Sequence, residues 1–298
     1  MDEKLIEKIL KLKKEKDAVI LVHNYQRPEI YEVADFIGDS LELAKAATEV
    51  KKDIIVFCGV DFMAESAKIL NPEKKVLIPS KQANCPMAGM ISGDDVRNWK
   101  KEYPDAAVVS YVNTNAKTKA ESDICCTSAN TVKVVNSLEE SSVLFCPDKN
   151  LAAYAQTKSD KKIIPWEGHC YVHSQISLKT VITAKVNHPD AEFIAHPECL
   201  PEVITEADAV CSTSQMIDYV RQSSAKEFIL GTESGMINRL KREVPDRCYF
   251  AVGSICIQMK KITLDMVYET LQSECNEILV DEEIRKMAKI ALDRMMEL

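Results

Sequence analysis

A short frame of residue types recurs three times along the 298-residue chain. In each copy a histidine or tyrosine is followed 12 positions later by an aspartate, and 5 positions after that by a hydroxyl residue. The copies are His23, Asp35 and Ser40; Tyr111, Asp123 and Ser128; and His196, Asp208 and Thr213. They begin 88 and 85 residues apart (23 to 111 to 196). Because a fixed period is typical of a repeat architecture, the frame predicts three units of about 86 residues.

Strand-like runs rich in β-branched residues alternate with helical patterns along most of the chain. Runs such as AVILVHN, IIVFCGV and AVVSYVN are short and mostly apolar. This alternation predicts an α/β fold with parallel sheets. We therefore expect three similar three-layer α/β repeats with small parallel sheets, arranged around a pseudo-threefold axis with the active site at the centre. The expected units are residues 1–103 (N-terminal helix and repeat 1), 104–189 (repeat 2) and 190–298 (repeat 3 with a C-terminal helix).

One cysteine occupies the same place in each predicted repeat. Cys85 lies in NCPMAG, Cys170 in GHCYVH and Cys256 in SICIQM, and they are 85 and 86 residues apart. If three copies pack around one axis, these positions converge on a central cavity at the carboxyl ends of the strands. Three thiolates at one point suit a soft metal with an open coordination position, or an iron–sulfur cluster whose fourth iron lacks a protein ligand. Either arrangement indicates catalysis, because a metal that serves folding alone normally has four protein ligands.

The chain has 11 cysteines, and most of them call for a simpler interpretation. Any single cysteine is more often a small buried apolar residue than a ligand. The repeat register overrides that expectation only for Cys85, Cys170 and Cys256. The other eight are expected to be structural: Cys58, Cys125, Cys126, Cys146, Cys199, Cys211, Cys248 and Cys275.

Charge and hydropathy exclude several kinds of partner. The formal net charge of −8 argues against binding to nucleic acid. No run approaches the roughly 18 consecutive apolar residues that a membrane span requires. The N-terminal segment MDEKLIEKILKLKKEKD predicts an amphipathic helix and contains no export signal. We therefore expect a cytoplasmic protein with reduced thiols and small-molecule partners, with no nucleic acid and no membrane.

Several uncommon strings make the chain resemble the quinolinate synthase family from about residue 5 to the C-terminus. They are HNYQ, GDS, GVDFMAE, KILNP, YVNT, TSAN, CPDKN, GHCYVH, HPEC and GTE. The resemblance implies a transferase of NAD biosynthesis that condenses iminoaspartate with dihydroxyacetone phosphate into quinolinate, with release of phosphate and two waters. It implies that Cys85, Cys170 and Cys256 hold a central [4Fe-4S] cluster, with one open iron acting as a Lewis acid. The resemblance is also compatible with a transient coupling to an enzyme that produces iminoaspartate.

The resemblance also assigns residues to substrate binding and proton transfer. Those of repeats 1 and 2 that are implied to contact substrate carboxylates or move protons are His23, Tyr25, Ser40, Tyr111 and Asn113. Tyr25 is expected to be the acid or base of the late steps. In repeat 3, His196 and Glu198 form a second acid–base pair, and Glu198 is suited to an enamine-forming dehydration. His173 is expected to contact phosphate or substrate, although a lone histidine at a strand end is as often a hydrogen-bonded structural residue.

Three hydroxyl residues stand where a loop is expected to enter a helix, namely Ser128, Ser212 and Thr213. Hydroxyls and free backbone N–H groups at such a place can bind phosphate without a lysine. The alternative is simple N-capping, which is the commonest use of Ser and Thr before a helix. Ser214 stands between Thr213 and Gln215, where many relatives have glycine, and its side chain could narrow the phosphate site.

Two other functions fit parts of the pattern. A mononuclear zinc hydrolase with a three-cysteine site would hold about one zinc per chain and no sulfide. A non-enzymatic iron–sulfur sensor that binds a small diacid would give no turnover. The sensor offers no role for the many hydroxyl, histidine and glutamate groups at the strand ends, so the condensing enzyme is the function we expect.

Overall fold

A computed structural model describes residues 2–298 and contains three four-stranded sheets. The strands pair in parallel, and in every sheet the second strand lies at one edge, followed by the first, third and fourth. Sheet 1 contains β1 (Ala18–His23), β2 (Phe36–Gly38), β3 (Ile54–Cys58) and β4 (Lys75–Leu77). Sheet 2 contains β5 (Ala107–Tyr111), β6 (Ile124–Cys126), β7 (Ser142–Cys146) and β8 (Lys162–Pro165). Sheet 3 contains β9 (Glu192–Ala195), β10 (Ala209–Val210), β11 (Glu227–Gly231) and β12 (Cys248–Ala251).

Helices connect the strands within and between the sheets. The α-helices are α1 (Glu3–Glu15), α2 (Ser40–Glu49), α3 (Asp61–Leu70), α4 (Gly93–Glu102), α5 (Ala116–Ala120), α6 (Thr131–Ser137), α7 (Lys149–Gln156), α8 (Tyr171–Ser174), α9 (Leu178–Asn187), α10 (Pro201–Thr205), α11 (Thr213–Gln222), α12 (Met236–Glu243), α13 (Leu264–Ser273) and α14 (Glu282–Met296). Short 3₁₀ helices cover Pro28–Val33, Met87–Gly89 and Met259–Lys261. The predicted fold class, α/β with three similar repeats and small parallel sheets, is confirmed; the pseudo-threefold arrangement stays a prediction.

The aspartate of the repeated frame makes the same hydrogen bond in every repeat. Its carboxylate accepts a hydrogen bond from the backbone N–H of one residue in the repeat's first strand. The backbone N–H of the aspartate donates in turn to the carbonyl of that strand residue. The carboxylate pairs are Asp35 with Ile20 at 2.8 Å, Asp123 with Val108 at 2.8 Å and Asp208 with Phe193 at 2.7 Å. These bonds fix the start of the second strand beside the first. The fixed spacing in the sequence therefore reflects a shared way of joining two strands.

The first strand of each repeat is internal to its sheet and nearly or wholly buried. All six residues of β1 and all five of β5 are buried. Parallel strands that are covered on both faces consist of continuous apolar runs, which explains the sequence pattern. β1 ends at His23, β5 ends at Tyr111, and His196 directly follows β9. The first residue of each frame copy thus lies at a carboxyl strand end, where open α/β sheets bind their ligands.

The two C-terminal helices pack outside the third sheet. α13 packs against α1 and β3, and α14 packs against α3, α5 and β6. The sequence analysis assigned α13 and α14 to the predicted unit 190–298, yet the elements they pack against belong to repeats 1 and 2. The unit boundaries at 103/104 and 189/190 stay a prediction. Within residues 2–298, no helix combines the length and the apolar character that crossing a lipid bilayer requires.

Candidate active site

One cavity is lined by residues that follow strands of all three sheets. Of the residues singled out from the sequence, those that line it are His23, Tyr25, Ser40, Cys85, Tyr111, Asn113, Ser128, Cys170, His173, His196, Glu198, Thr213 and Cys256. Apolar wall residues include Phe62, Met63 and Met87. Among the described residues 2–298, no lysine or arginine lines this cavity. Its polar groups are therefore hydroxyls, amides, imidazoles, thiols and the carboxyl groups of Glu198 and Asp39.

Three cysteines reach the cavity from three loops. Cys85 precedes the 3₁₀ helix at 87–89, Cys170 precedes α8, and Cys256 follows β12. Burial raises the pKa of the Cys85 thiol to about 12 and holds the pKa values of Cys170 and Cys256 above their usual range. Repulsion between thiolates raises these pKa values further, since a charge on Cys256 acts on Cys85 and a charge on Cys85 acts on Cys170. A bound cation offsets that penalty, so this set of soft sulfur donors suits a metal centre.

The other eight cysteines do not line this cavity. Cys58, Cys125, Cys126, Cys146 and Cys199 are buried, as expected of structural residues. The expectation was wrong for Cys248 and Cys275, which are exposed, while Cys211 is half-buried. Cys248 begins the edge strand β12, and Cys275 follows α13, so both lie at the ends of elements and not within a buried strand.

Glu198 lies at the centre of the polar groups. Its Oε2 is 3.3 Å from His173 Nδ1 and 3.2 Å from His196 Nδ1, and it accepts a 3.5 Å hydrogen bond from the Tyr111 hydroxyl. Its Oε1 is buried without a hydrogen-bond partner. Burial raises the pKa of Glu198 well above its usual value, and the neighbouring Asp148 raises it further. The surroundings of Glu198 therefore disfavour the charged form of its carboxyl group.

The histidines around Glu198 are held in their neutral form. Burial lowers the pKa values of His23 and His173 to about 3 and that of His196 well below its usual value. The rings of His173 and His196 stack with their centroids 4.4 Å apart, so a charge on one would repel a charge on the other. Near neutral pH these imidazoles are therefore uncharged hydrogen-bonding groups beside the Glu198 carboxyl group.

A hydroxyl group that the sequence interpretation missed connects the repeats. Thr232 Oγ1 is 2.6 Å from the Tyr25 hydroxyl and 3.0 Å from His173 Nε2, and Thr232 is fully buried. Tyr25, His173 and Thr232 belong to repeats 1, 2 and 3 respectively. Burial also raises the pKa of Tyr25 well above its usual value, so the phenol keeps its proton at neutral pH. The only sequence signal for Thr232 is its place in the GTE string after β11.

The three hydroxyl residues considered for phosphate binding differ in position: one caps a helix outside the cavity wall, and two line the cavity. Ser212 does not line the cavity, because it caps α11: its Oγ accepts from Gln215 N at 3.4 Å and donates to Asp39 Oδ2 at 3.3 Å. The N-capping alternative is therefore confirmed for Ser212. Ser128 caps no helix, since α6 has Asn130 at its N-cap position, and Thr213 is the first residue of α11. Both of these residues line the cavity.

The side chain of Ser214 is directed away from the cavity. Its hydroxyl donates to Glu42 and accepts a 3.4 Å hydrogen bond from Asn24 Nδ2. Asn24 Nδ2 also donates to Thr213 Oγ1 at 3.0 Å. Ser214 is absent from the cavity wall, so it does not narrow the cavity in the way that a serine at this position could.

Polar atoms without partners in the cavity wall point to a polar ligand. Asn113 Oδ1, Glu198 Oε1 and Gln258 Oε1 are buried and accept no hydrogen bond within residues 2–298. Buried polar atoms are nearly always paired in folded proteins. A ligand with several hydrogen-bonding groups would satisfy these atoms. Gln258 was missed by the sequence interpretation, and only its position two residues after Cys256 hints at a role.

A family model described as quinolinate synthetase A protein matches residues 7–297 of the chain. The chain belongs to the quinolinate synthase family. It is 51% identical over 297 residues to the quinolinate synthase of Alkaliphilus metalliredigens, with 99% of this chain and 98% of that protein covered. It is 52% identical to the quinolinate synthases of Methanosarcina barkeri (98% and 97% covered) and Methanoregula boonei (99% and 98% covered). The family resemblance predicted from the sequence strings is confirmed.

In this member of the quinolinate synthase family, Thr232→Val keeps the side-chain shape but removes the hydroxyl that Tyr25 and His173 share. We expect the free energy of unfolding of the metal-free protein to fall by about 1–3 kcal/mol, because two buried polar groups lose their partner. Thr232→Ser retains the hydroxyl and should lose less stability. Urea denaturation measures both variants. Equal stability of the valine and serine variants would contradict the bridging role.

Proposed function

We propose that the chain condenses iminoaspartate with dihydroxyacetone phosphate to form quinolinate, phosphate and two waters, as a transferase of NAD biosynthesis. The observation that carries this proposal is a single cavity, in a member of the quinolinate synthase family, that combines three cysteines with buried acid–base groups from three repeats. A cytoplasmic location and a transient coupling to an enzyme that produces iminoaspartate belong to the same proposal.

Cys85, Cys170 and Cys256 would hold a [4Fe-4S] cluster. The donor set fits such a group, because thiolates are its usual protein ligands and all three sulfurs belong to residues of one cavity. When bound, a cluster with three protein ligands supplies one open iron that acts as a Lewis acid toward a substrate oxygen.

Neutral hydrogen-bonding groups would bind the anionic substrates. The substrates carry two carboxylates and a phosphate, whereas the cavity wall contains no lysine or arginine within residues 2–298. Ser40, Ser128 and Thr213 provide hydroxyl donors, one from each repeat at the third position of the frame. Asn113 provides an amide donor as well as the unpaired Oδ1. Hydrogen bonds to a charged group are worth more than neutral ones, so a few well-placed donors can replace a cation.

Glu198 and Tyr25 would transfer protons at different places. Glu198 Oε1 is the free oxygen of a carboxyl group with a raised pKa, and it can give a proton to the substrate or take one from it. His173 Nδ1 and His196 Nδ1 lie 3.3 and 3.2 Å from the other oxygen, Oε2. Tyr25 keeps its proton at neutral pH and can donate it, with its hydroxyl held by Thr232. We assign Glu198 to the early dehydration and Tyr25 to the late steps.

A second candidate is a mononuclear metal site. Cys170, His173 and Glu198 each offer a ligand atom, and these atoms lie within 4.8 Å of one another. Cysteine, histidine and glutamate are all zinc ligands. Such a site would use only one of the three equivalent cysteines, which makes the two candidates separable by mutation.

Cys85→Ser and Cys256→Ser test the shared cluster against the mononuclear site. If the three cysteines share one cluster, either replacement should cut bound iron and abolish the condensation. Cys146→Ser is the matched control, because Cys146 is fully buried beside the Ser110 hydroxyl and does not line the cavity. Iron analysis after anaerobic purification measures the outcome. Full metal content in Cys85→Ser and Cys256→Ser, combined with its loss in Cys170→Ser, would favour the mononuclear site.

Glu198→Gln tests the proposed acid–base role. The amide keeps the shape of the side chain but cannot transfer a proton, so turnover should fall by about 100-fold or more. Iron and sulfide content should stay at the wild-type level, because no cluster ligand is changed. Anaerobic assays of quinolinate formation measure the effect. Turnover within a few-fold of the wild type would remove Glu198 from the proposed chemistry.

A further inference from the structure

An acidic side chain in each repeat accepts a hydrogen bond from the backbone of the cavity cysteine. The acids lie in the turn after the third strand of each sheet, just past β3, β7 and β11. The backbone N–H donors and carboxylate acceptors are Cys85 to Asp61 Oδ1 at 3.1 Å, Cys170 to Asp148 Oδ2 at 2.9 Å, and Cys256 to Glu233 Oε1 at 3.1 Å. The sequence frame did not include these residues, because their distances from the cysteines differ: 24, 22 and 23 positions (61 to 85, 148 to 170, 233 to 256).

A second bond holds each cysteine loop against the same turn. A backbone N–H of the turn donates to the carbonyl two residues before the cysteine in all three repeats. The pairs are Asp61 N with Ala83 O at 2.9 Å, Lys149 N with Gly168 O at 2.9 Å, and Ser234 N with Ser254 O at 3.0 Å. We call this pair of bonds, one to the carboxylate and one from the turn, the cysteine clamp. Each clamp holds the loop backbone at two points, and neither of its two hydrogen bonds involves the cysteine sulfur.

Glycines let two of the loops approach their turns closely. A Cβ atom at Gly168 would lie 2.5 Å from the Pro147 carbonyl oxygen, and one at Gly253 would lie 1.7 Å from the Thr232 carbonyl oxygen. Both distances are too short for any side chain. The loop backbone therefore lies directly against the turn in repeats 2 and 3.

The carboxylates are anchored on their other side by the start of the following segment. Asp148 Oδ1 accepts from the N–H groups of Asn150 and Leu151, both at 2.8 Å, as the N-cap of α7. Glu233 Oε2 accepts from Gly235 N at 2.7 Å, and Lys260 lies 3.3 Å from Glu233 Oε1. Asp148 and Glu233 are both fully buried. Each therefore uses its two oxygens for two different sets of donors.

Asp61 differs from the other two acids in one useful respect. Its Oδ1 alone accepts both bonds, from Cys85 N at 3.1 Å and from Phe62 N at 2.9 Å. Within residues 2–298, its Oδ2 accepts no hydrogen bond. An asparagine at position 61 could therefore make both bonds, whereas an asparagine at position 148 must turn an NH₂ group toward one set of donors.

We propose that Asp61, Asp148 and Glu233 are positioning residues that hold the three cysteine loops in the geometry needed to bind one metal cluster. The inference rests on the proposed function, because it takes Cys85, Cys170 and Cys256 as ligands. The three loops come from different repeats and have little regular structure, so their order before metal binding depends on the clamps. Partners behind the ligands of a metal typically change its affinity about 10–100-fold when they are mutated.

The test compares Asp148→Asn with Asp61→Asn and with the control Asp281→Asn. Asp281 caps α14 by accepting from Glu283 N and Ile284 N at 3.0 and 3.2 Å, and it contacts no cysteine loop. Two quantities are measured on each full-length protein. One is the rate at which an iron chelator removes iron from the anaerobically loaded protein. The other is hydrogen exchange at the Cys170 amide in the metal-free protein.

We expect Asp148→Asn to lose iron about 10-fold faster than the wild type or more, and to exchange the Cys170 amide faster in the metal-free state. Asp61→Asn and Asp281→Asn should lose iron at the wild-type rate. Wild-type iron loss in Asp148→Asn, whatever its thermal stability, would overturn the proposal and leave Asp148 as a helix cap only. A wild-type protein that retains no iron would instead overturn the proposed cluster, while exchange at Cys170 would still report whether the carboxylate holds the loop.

Discussion

Buried thiols lose their protons only when a nearby positive charge replaces the lost hydration. Cys85, Cys170 and Cys256 are in this position, because burial raises their pKa values and no cationic side chain of residues 2–298 lines their cavity. A metal centre bound in this cavity would supply that positive charge to all three sulfurs together. The fold meets this constraint by ending three parallel sheets at one cavity, with one cysteine loop from each.

The three repeats share a backbone but divide the chemistry among them. The residue that begins each copy of the frame is His23, Tyr111 or His196, and the residue two positions later is Tyr25, Asn113 or Glu198. All six line the cavity. One structural position therefore provides a phenol, an amide and a carboxyl group. As a result, one small site contains groups with different pKa values. A reaction with several proton transfers requires such groups.

The spacing in the sequence predicted the three repeats and the three cavity cysteines, whereas Tyr25, Asn113 and His173 were expected from the family resemblance. An aspartate that bonds the first strand must lie at a fixed distance from it, so the frame is visible in the chain. Thr232 was not predicted, since its contacts with Tyr25 and His173 span 207 and 59 positions and follow no local pattern. Ser212 and Thr213 are adjacent, and only the local helix geometry separates the cap from the cavity residue. The exposure of Cys248 depends on which strand lies at a sheet edge, which composition does not reveal.

The proposed cluster is tested most directly by iron and acid-labile sulfide analysis of the wild-type protein purified without oxygen. If the three cysteine loops bind one [4Fe-4S] cluster, the protein should contain about four iron and about four sulfide per chain. Its absorbance should show the broad visible band of such a centre. About one zinc per chain with no sulfide would contradict the cluster and would favour a mononuclear zinc site, formed either by the three cysteines or by Cys170, His173 and Glu198.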